Sequence, residues 1–162
     1  LVHIQAFNSA RRRLWMAFGY FVPDETIIRA LQLAAHRGVD VRLLIPGRAE
    51  NRTAWLASFN YPHRLIQAGV RVFHYDGVMH QKVFLVDDCL AGVGSVNMDN
   101  RSLHINFEVV ALVADPAFAG DVARMLEADF ETAAECDAYL LDRKPYWFRL
   151  AARAVNLTAP LL

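Results

Sequence analysis

Residues 23–46, PDETIIRALQLAAHRGVDVRLLIP, leave a chain little choice of fold. Asp24 stands where a helix N-cap belongs, Glu25 brings negative charge to the first turn, and Ile27, Leu31 and Ala34 recur at helical spacing until Gly38 supplies a stop. Two apolar runs with strand character bracket this helix, LWMAFGYF at 14–21 and VDVRLLIP at 39–46. A second helical region near 51–68, ending at Gly69, leads to a third strand, VRVFHY at 70–75. Strands separated by helices pair in parallel through right-handed crossovers, so the first half of the chain reads as a stack of such units. Residues 3–13 read as the end of an amphipathic helix ahead of it.

Beyond residue 76 the elements shorten. A strand at 79–87, a short strand in CLAGVGS (89–95) running into a polar turn, and an inner strand in NFEVVALVAD (106–115) precede a helix over 116–135 that opens on Pro116. The expected fold is α/β, a mixed, largely parallel sheet flanked by helices on both faces. With 162 residues, 55% of them hydrophobic, the chain can close one core of ordinary size, and no break in composition marks a second. The expected organisation is one domain over 1–142 followed by a basic, aromatic helix over 143–162. No apolar run reaches the roughly 20 residues that a membrane-spanning helix needs. The start at Leu1 rather than Met reads as that of a trimmed or incomplete chain.

Formal charge is zero at pH 7 but unevenly spread, with ten Arg against five acids in 1–78 and seven bases against twelve acids in 79–162. No broad basic face for duplex nucleic acid is evident, which argues against nucleic acid as a partner. Cys89 and Cys136 are far apart and form no CxxC, so they read as two reduced thiols and not as a disulfide or metal site.

Fifteen of the seventeen basic residues are Arg, and one of the two lysines, Lys82, lies in DGVMHQKVFLVDD at 76–88. On a strand, residues two apart share a face, so His80 and Lys82 project together. A compact ammonium suits a phosphate approached at short range, whereas a guanidinium prefers a planar two-pronged partner. Asp87, five residues on and at opposite parity, suits holding its own loop or pairing with a basic neighbour. In GVGSVNMDNRS, Gly94 permits close backbone approach, and Ser95 and Asn97 offer a hydroxyl and an amide to phosphate oxygens. This is not the dinucleotide fingerprint, because Asn97 stands where the third glycine would be. Glu108 is a carboxylate in an apolar run and a candidate acceptor for one ring nitrogen of His80, leaving the other free to attack.

In this combination the chain resembles the phospholipase D superfamily: His80, Lys82 and Asp87 meet its HxKxxxxD signature, and Gly94, Ser95 and Asn97 the GSxN element that follows. It is closer still to bacterial cardiolipin synthases. Their C-terminal halves are similar to YFVPDE, AAHRGVDVRLLIP, QAGVRVFHY, MHQKVFLVDD, GSVNMDNRS and NFEVV in the same order, and to the ending APLL. The chain departs from them at Phe18 and Gly19, where Thr-Pro or similar is common, and at Asn51, where Asp is frequent. The resemblance implies a phospholipase D-like half domain in which His80 attacks phosphorus or serves as the partner acid. It also implies that Lys82, Ser95 and Asn97 bind phosphoryl oxygens, that Glu108 orients His80, and that Asp87 fills a structural part of the catalytic motif. It implies no metal and no other cofactor.

Histidine attack on a phosphodiester gives a phosphohistidine and splits one displacement into two. The first step expels an alcohol and needs an acid, and the second admits an acceptor and needs a base. One histidine cannot serve both faces of phosphorus, so a second HxKxxxxD half is expected, from the same parent chain or a homodimer. The resemblance implies that two phosphatidylglycerol molecules, or another phospholipid, are joined with release of glycerol. Hydrolysis by the same site, as a phospholipase D or nuclease-type phosphodiesterase, and a noncatalytic interface half stand as alternatives. The expected location is the cytoplasmic face of the bacterial cell membrane, reached peripherally through this segment. The tail RKPYWFRLAARAVNLTAPLL (143–162) has no acid, four bases, and Tyr146, Trp147 and Phe148 together. Arg149 and Arg153 share a helical face, which suits a helix in the headgroup region or one that packs on the domain's own core.

Overall fold

The computed structural model describes residues 2–48 and 51–159. The chain runs α1 (Val2–Ser9), β1 (Arg13–Phe18), β2 (Phe21–Val22), α2 (Glu25–His36), β3 (Asp40–Arg48), α3 (Arg52–Ser58), α4 (Pro62–Ile66) and β4 (Arg71–Val78). It continues through β5 (Lys82–Val86), β6 (Leu90–Gly94), β7 (Met98–Asp99), α5 (Asn100–His104), β8 (Val110–Val113), α6 (Pro116–Thr132), β9 (Ala134–Glu135) and α7 (Tyr146–Asn156).

Seven strands form one sheet in the order β8-β6-β5-β1-β3-β4-β9, and β2 pairs with β7 separately. The fold is the expected α/β class, a mixed sheet with helices on both faces. Within the seven-stranded sheet parallel pairing is confined to β1, β3 and β4, the crossover half read from the sequence, and the separate β2–β7 pair is parallel too. The pairings of β5 with β1, β6 with β5, β8 with β6 and β9 with β4 are antiparallel. The turn between β5 and β6 is too short for a crossover, which takes a dozen or more residues, so these strands fold back on themselves.

Alternation along the strands divides the core. Leu14, Met16 and Phe18 of β1 join Leu43, Ile45, Phe84 and Val86 in one cluster with Phe7 of α1 and Ile28 and Leu31 of α2. Trp15 and Ala17 join Leu44, Val83 and Leu85 in a second cluster with Val122, Leu126 and Phe130 of α6. The helices begin as their sequences dictate. Asp24 accepts the Ile27 N–H at 2.9 Å, Asp115 accepts the Phe118 N–H at 2.7 Å, and Asn51 caps α3 through the amides of Thr53 and Ala54. Gly38 ends α2 at φ 84°, a conformation that favours glycine.

Several element boundaries differ from the sequence reading. The first helix stops at Ser9, so Arg13 is already in β1. The run 14–21 is broken after Phe18, where the Gly19 N–H turns to the Gln81 carbonyl at 2.9 Å, and β2 departs to pair with β7. The helical region near 51–68 is two helices, because Pro62 starts α4 anew. The strand at 79–87 begins only at Lys82, leaving His80 in the segment before it. The strand at 106–115 is not an inner one: β8 covers Val110–Val113 at the sheet's edge, and Glu108 precedes it.

Helix α7 buries Phe148 and Ala152 against the rest of the chain. Asn60 Nδ2 donates to the Ala152 carbonyl and Tyr61 Oη to Asn156 Oδ1, both at 2.9 Å. One face of the tail helix thus packs on the domain while Trp147 and Leu150 stay exposed. Residues 160–162 of the APLL ending, and Leu1, lie outside the described residues. No described helix is long and apolar enough to cross a membrane.

A Cβ on Gly94 would collide with the Val109 carbonyl and Val110 Cα across the β6–β8 pair, whereas one on Gly120 in α6 would meet only the Arg124 guanidinium at 3.6 Å. Gly94→Ala is expected to lower stability by about 2 kcal/mol. Gly120→Ala is expected to hold or raise it by about 0.5 kcal/mol. Urea unfolding midpoints of the two variants check both.

Candidate active site

The strand directions bring His80 and Lys82 of the motif, with Ser95, Asn97 and Glu108, to one end of the sheet. Phe18, the last residue of β1, pairs with Lys82, the first of β5, and Gly94, the last of β6, pairs with Val110, the first of β8. The segments holding His80, Ser95, Asn97 and Glu108 therefore all leave the sheet where the parallel strands have their C-terminal ends. Crevices at that end are where open α/β sheets bind ligands.

Around His80 the backbone is close-packed. A Cβ on Gly19 would lie 3.3 Å from the Met79 carbonyl, 3.4 Å from His80 Cα and 3.5 Å from Asn97 Oδ1, so the end of β1 abuts His80 and Asn97 together. The Tyr20 ring stands edge-on to the His80 imidazole, with centroids 6.2 Å apart and planes at 85°. Lys82 Nζ donates to the His80 carbonyl at 3.0 Å. The ammonium thus folds back onto the His80 backbone, although His80 is not on the strand whose alternation suggested the pairing.

Ser95 and Glu108 form the second wall. The Ser95 hydroxyl donates to Glu108 Oε2 and receives the Val109 N–H at 3.1 Å, while the Ser95 N–H donates to the Val109 carbonyl at 2.9 Å. Asn106 Nδ2 donates to Glu108 Oε1 at 3.1 Å. The Ser95 hydrogen bond above all holds Glu108 below the usual carboxylate range, against the effect of desolvation and with help from Asn106, Ser102 and the charge of Lys82. Glu108 thus stays ionised beside a cation. Asn97 is buried, and its Oδ1, like Gln81 Oε1, has no hydrogen-bond partner among the described residues. A buried acceptor left unpaired costs about 1–3 kcal/mol.

Next to His80 and Lys82 a cavity of about 490 Å³ opens between β5, β6 and α6, walled largely by Val83, Val93, Phe118, Val122 and Met125. Gly19, Tyr20 and this α6 wall are site components that the sequence did not mark. Gly19 stood out only as a departure from the family pattern, and its nearness to His80 follows from strand register. The other histidines have different surroundings. His3 packs on Phe7 and Phe84, His63 contacts the Ala138 carbonyl and His104 lies 3.1 Å from Asp24. His74, against Phe59, has its pKa pushed down to about 4 by burial and then by the charge of Lys144.

The structure does not bring Asp87 to this group. It follows β5 at the far end, about 15 Å along the strand from Lys82. There, at φ 52°, its carboxylate accepts the backbone N–H groups of Arg11, Arg12 and Arg13 at 3.2, 2.7 and 3.1 Å. Burial is the largest single influence on its pKa and raises it, but the three amides and the charge of Arg12 together outweigh burial and the carboxyl lies below its ordinary value.

Residues 3–132 match the family described as cardiolipin synthase, PLD-like domain. The chain belongs to this family. It is similar to cardiolipin synthase A of Pseudomonas aeruginosa, 47% identical over 165 residues that take in 100% of this chain and 33% of the relative. The chain spans about a third of the length of the curated relatives it matches. Among solved structures, the phospholipase D family member Nuc of Salmonella typhimurium superposes with a TM-score of 0.72 at 25% identity, over 83% of this chain and 88% of that one. The phosphatidylserine synthase of Haemophilus influenzae shares the fold, with a TM-score of 0.78 at 15% identity, over 99% of this chain and 44% of that one. The resemblance to the phospholipase D superfamily and to cardiolipin synthases, read from the motifs, is borne out.

Because the lowered folded-state pKa of Asp87 stabilises the fold only while the carboxylate is ionised, that contribution is fully present above about pH 4 and fades as pH falls through the folded value. Asp87→Asn, which keeps the left-handed backbone accessible, is expected to lower stability by about 2 kcal/mol at neutral pH. Its deficit against the unaltered chain should shrink toward zero in unfolding curves taken at about pH 2.

Proposed function

We propose that this chain supplies one half of the active site of a phosphatidyltransferase of the cardiolipin synthase type. The convergence of His80, Lys82 and the Ser95–Glu108 pair on one end of the sheet carries this reading. In it, an imidazole nitrogen of one motif histidine attacks the phosphorus of a phosphatidylglycerol. The phosphorus–oxygen bond to the headgroup glycerol breaks, and glycerol leaves with a proton from the second motif histidine. A phosphatidyl-histidine remains. The terminal hydroxyl of a second phosphatidylglycerol then gives its proton to that second histidine and attacks phosphorus, breaking the phosphorus–nitrogen bond and yielding the doubled lipid.

His80 takes one of these two roles. Lys82, Ser95 and Asn97 hold the phosphoryl oxygens, Ser95 by turning its hydroxyl from Glu108 to the phosphate and Asn97 by donating from Nδ2. Glu108 orients His80 and, by fixing the Ser95 hydroxyl and facing Lys82, sets the charge of the pocket. Asp87 serves the motif from a distance by tying the α1–β1 link to the end of β5. The apolar cavity beside His80 suits the glyceride part of the donor. The reaction is placed at the cytoplasmic face of the bacterial membrane, with the chain meeting the lipid peripherally.

The second histidine comes from a second HxKxxxxD half, in the parent chain or in another copy. Ile105, Phe107 and Val109 flank Glu108 and are 61%, 107% and 72% exposed, an apolar rim that such a half would cover. The length of the relatives, about three times the matched span, favours the parent chain.

In the complete parent protein with phosphatidylglycerol vesicles, thin-layer chromatography is expected to show a diphosphatidyl product formed with stoichiometric free glycerol. His80→Ala should lower that rate by at least about a thousandfold, and Ser95→Ala by about a hundredfold. Headgroup release without the doubled lipid would make the protein a hydrolase, and an unaltered rate in His80→Ala would make this half noncatalytic.

A further inference from the structure

A second cavity, of about 570 Å³, lies apart from the His80 group and is lined by Arg48, Arg52, Trp55, Leu56, Trp147 and Phe148. Its walls come from the end of β3, from α3 and from α7. Neither Arg48 nor Arg52 enters an ion pair or side-chain hydrogen bond among the described residues, and both are exposed. The acids leading into α7 are engaged elsewhere, Asp137 with Arg143 at 2.7 Å and Asp142 with Arg149 at 3.8 Å. Among the described residues no carboxylate lines the cavity, and two guanidinium groups do.

The aromatic floor is rigid. Trp55 Nε1 donates to the Gly47 carbonyl at 3.1 Å. Phe148 stands edge-on to Trp55 and Phe59, with centroids 5.9 and 5.1 Å away, and Lys144 Nζ lies 5.7 Å from the Phe148 centroid. At the rim, Trp147 is 68% exposed, with Tyr146 and Leu150 beside it also exposed. Exposed indole and leucine around a cationic pocket call for a ligand that is anionic at one end and apolar at the other. Guanidinium forks match phosphate oxygens, and tryptophan rings rest at the boundary between headgroups and acyl chains.

We infer that this cavity is a binding site for the phosphate of an anionic phospholipid, separate from the reacting phosphate, that seats α7 on the membrane surface. Arg48 and Arg52 take the phosphate oxygens, and Trp147 and Leu150 enter the interfacial layer. Arg48 lies at the C-terminal end of β3, paired with Val78 of β4, and β3 neighbours β1, whose end meets Lys82. The pocket and the His80 group therefore open at the same end of the sheet, and a membrane held by one lies in reach of the other. The inference does not depend on the transfer reaction.

Co-sedimentation of the chain with vesicles tests it. Binding to an equimolar mixture of phosphatidylglycerol and phosphatidylcholine is expected to exceed binding to phosphatidylcholine alone. Arg48→Gln with Arg52→Gln should weaken binding to the mixture by at least about tenfold, the factor set by losing one charge-assisted contact. Arg149→Gln with Arg153→Gln, which alters bases outside the cavity, should weaken it less, and His80→Ala should leave it unchanged. Circular dichroism of each variant confirms that it is folded. Emission of the chain should shift to the blue on the mixed vesicles and lose that shift in Trp147→Phe. An equal loss from the two double-Arg variants would show diffuse attraction in place of a pocket. Inorganic phosphate that displaces the chain from vesicles only weakly supports the lipid as ligand. Phosphate bound as tightly as the vesicles would overturn the lipid assignment, and failure of vesicle binding would overturn the proposal.

Discussion

Strand β5 is fixed against β1 at both ends, and the site depends on that register. At one end the Gly19 N–H meets the Gln81 carbonyl, and at the other the Asp87 carboxylate gathers the amides of residues 11–13. A slip of one residue would exchange Phe84 and Val86 with Val83 and Leu85 between the two core clusters and turn Lys82 to the opposite face. The motif's aspartate and its lysine are thus two ends of one positioning device, with the four buried residues Val83–Val86 between them acting as the spacer.

From that register the rest of the site follows by adjacency. β6 returns along β5 to deliver Ser95, and the start of β8 pairs with the end of β6, which sets Glu108 just ahead of β8, so the hydroxyl and carboxylate meet across a strand pair. Gly94 is what permits this, since its missing side chain leaves room for the Val109 backbone. Charge is balanced locally: Lys82 stands near a carboxylate kept ionised by hydrogen bonds.

Much of this was legible in the residues. The helices announced themselves through caps, Asp24 and Asp115 at their starts and Gly38 at a stop, and the crossover half through its alternation of strand and helix. His80, Lys82, Ser95, Asn97 and Glu108 were named from spacing and side-chain chemistry, and the structure brings their segments to one end of the sheet. What was not legible depended on long-range pairing. The β2–β7 ribbon joins residues 77 positions apart through two pairs, Phe21 with Met98 and Val22 with Asp99, too short to leave a periodic signal. Glu108 looked like part of an inner strand because β8 is apolar, yet an edge strand beside an exposed rim is apolar too. The division of 51–68 had a local signal in Pro62, and the proximity of Gly19 to His80 had none until register was known.

Under the proposed function Lys82, Ser95 and Asn97 surround the place of a phosphate. A diffraction structure of the chain grown with inorganic phosphate measures this directly. A phosphate is expected within hydrogen-bonding distance of Lys82 Nζ and of the Ser95 or Asn97 side chain, and is expected to be lost in Lys82→Ala. Saturating phosphate that binds only away from Lys82, or that stays in place in Lys82→Ala, would contradict it.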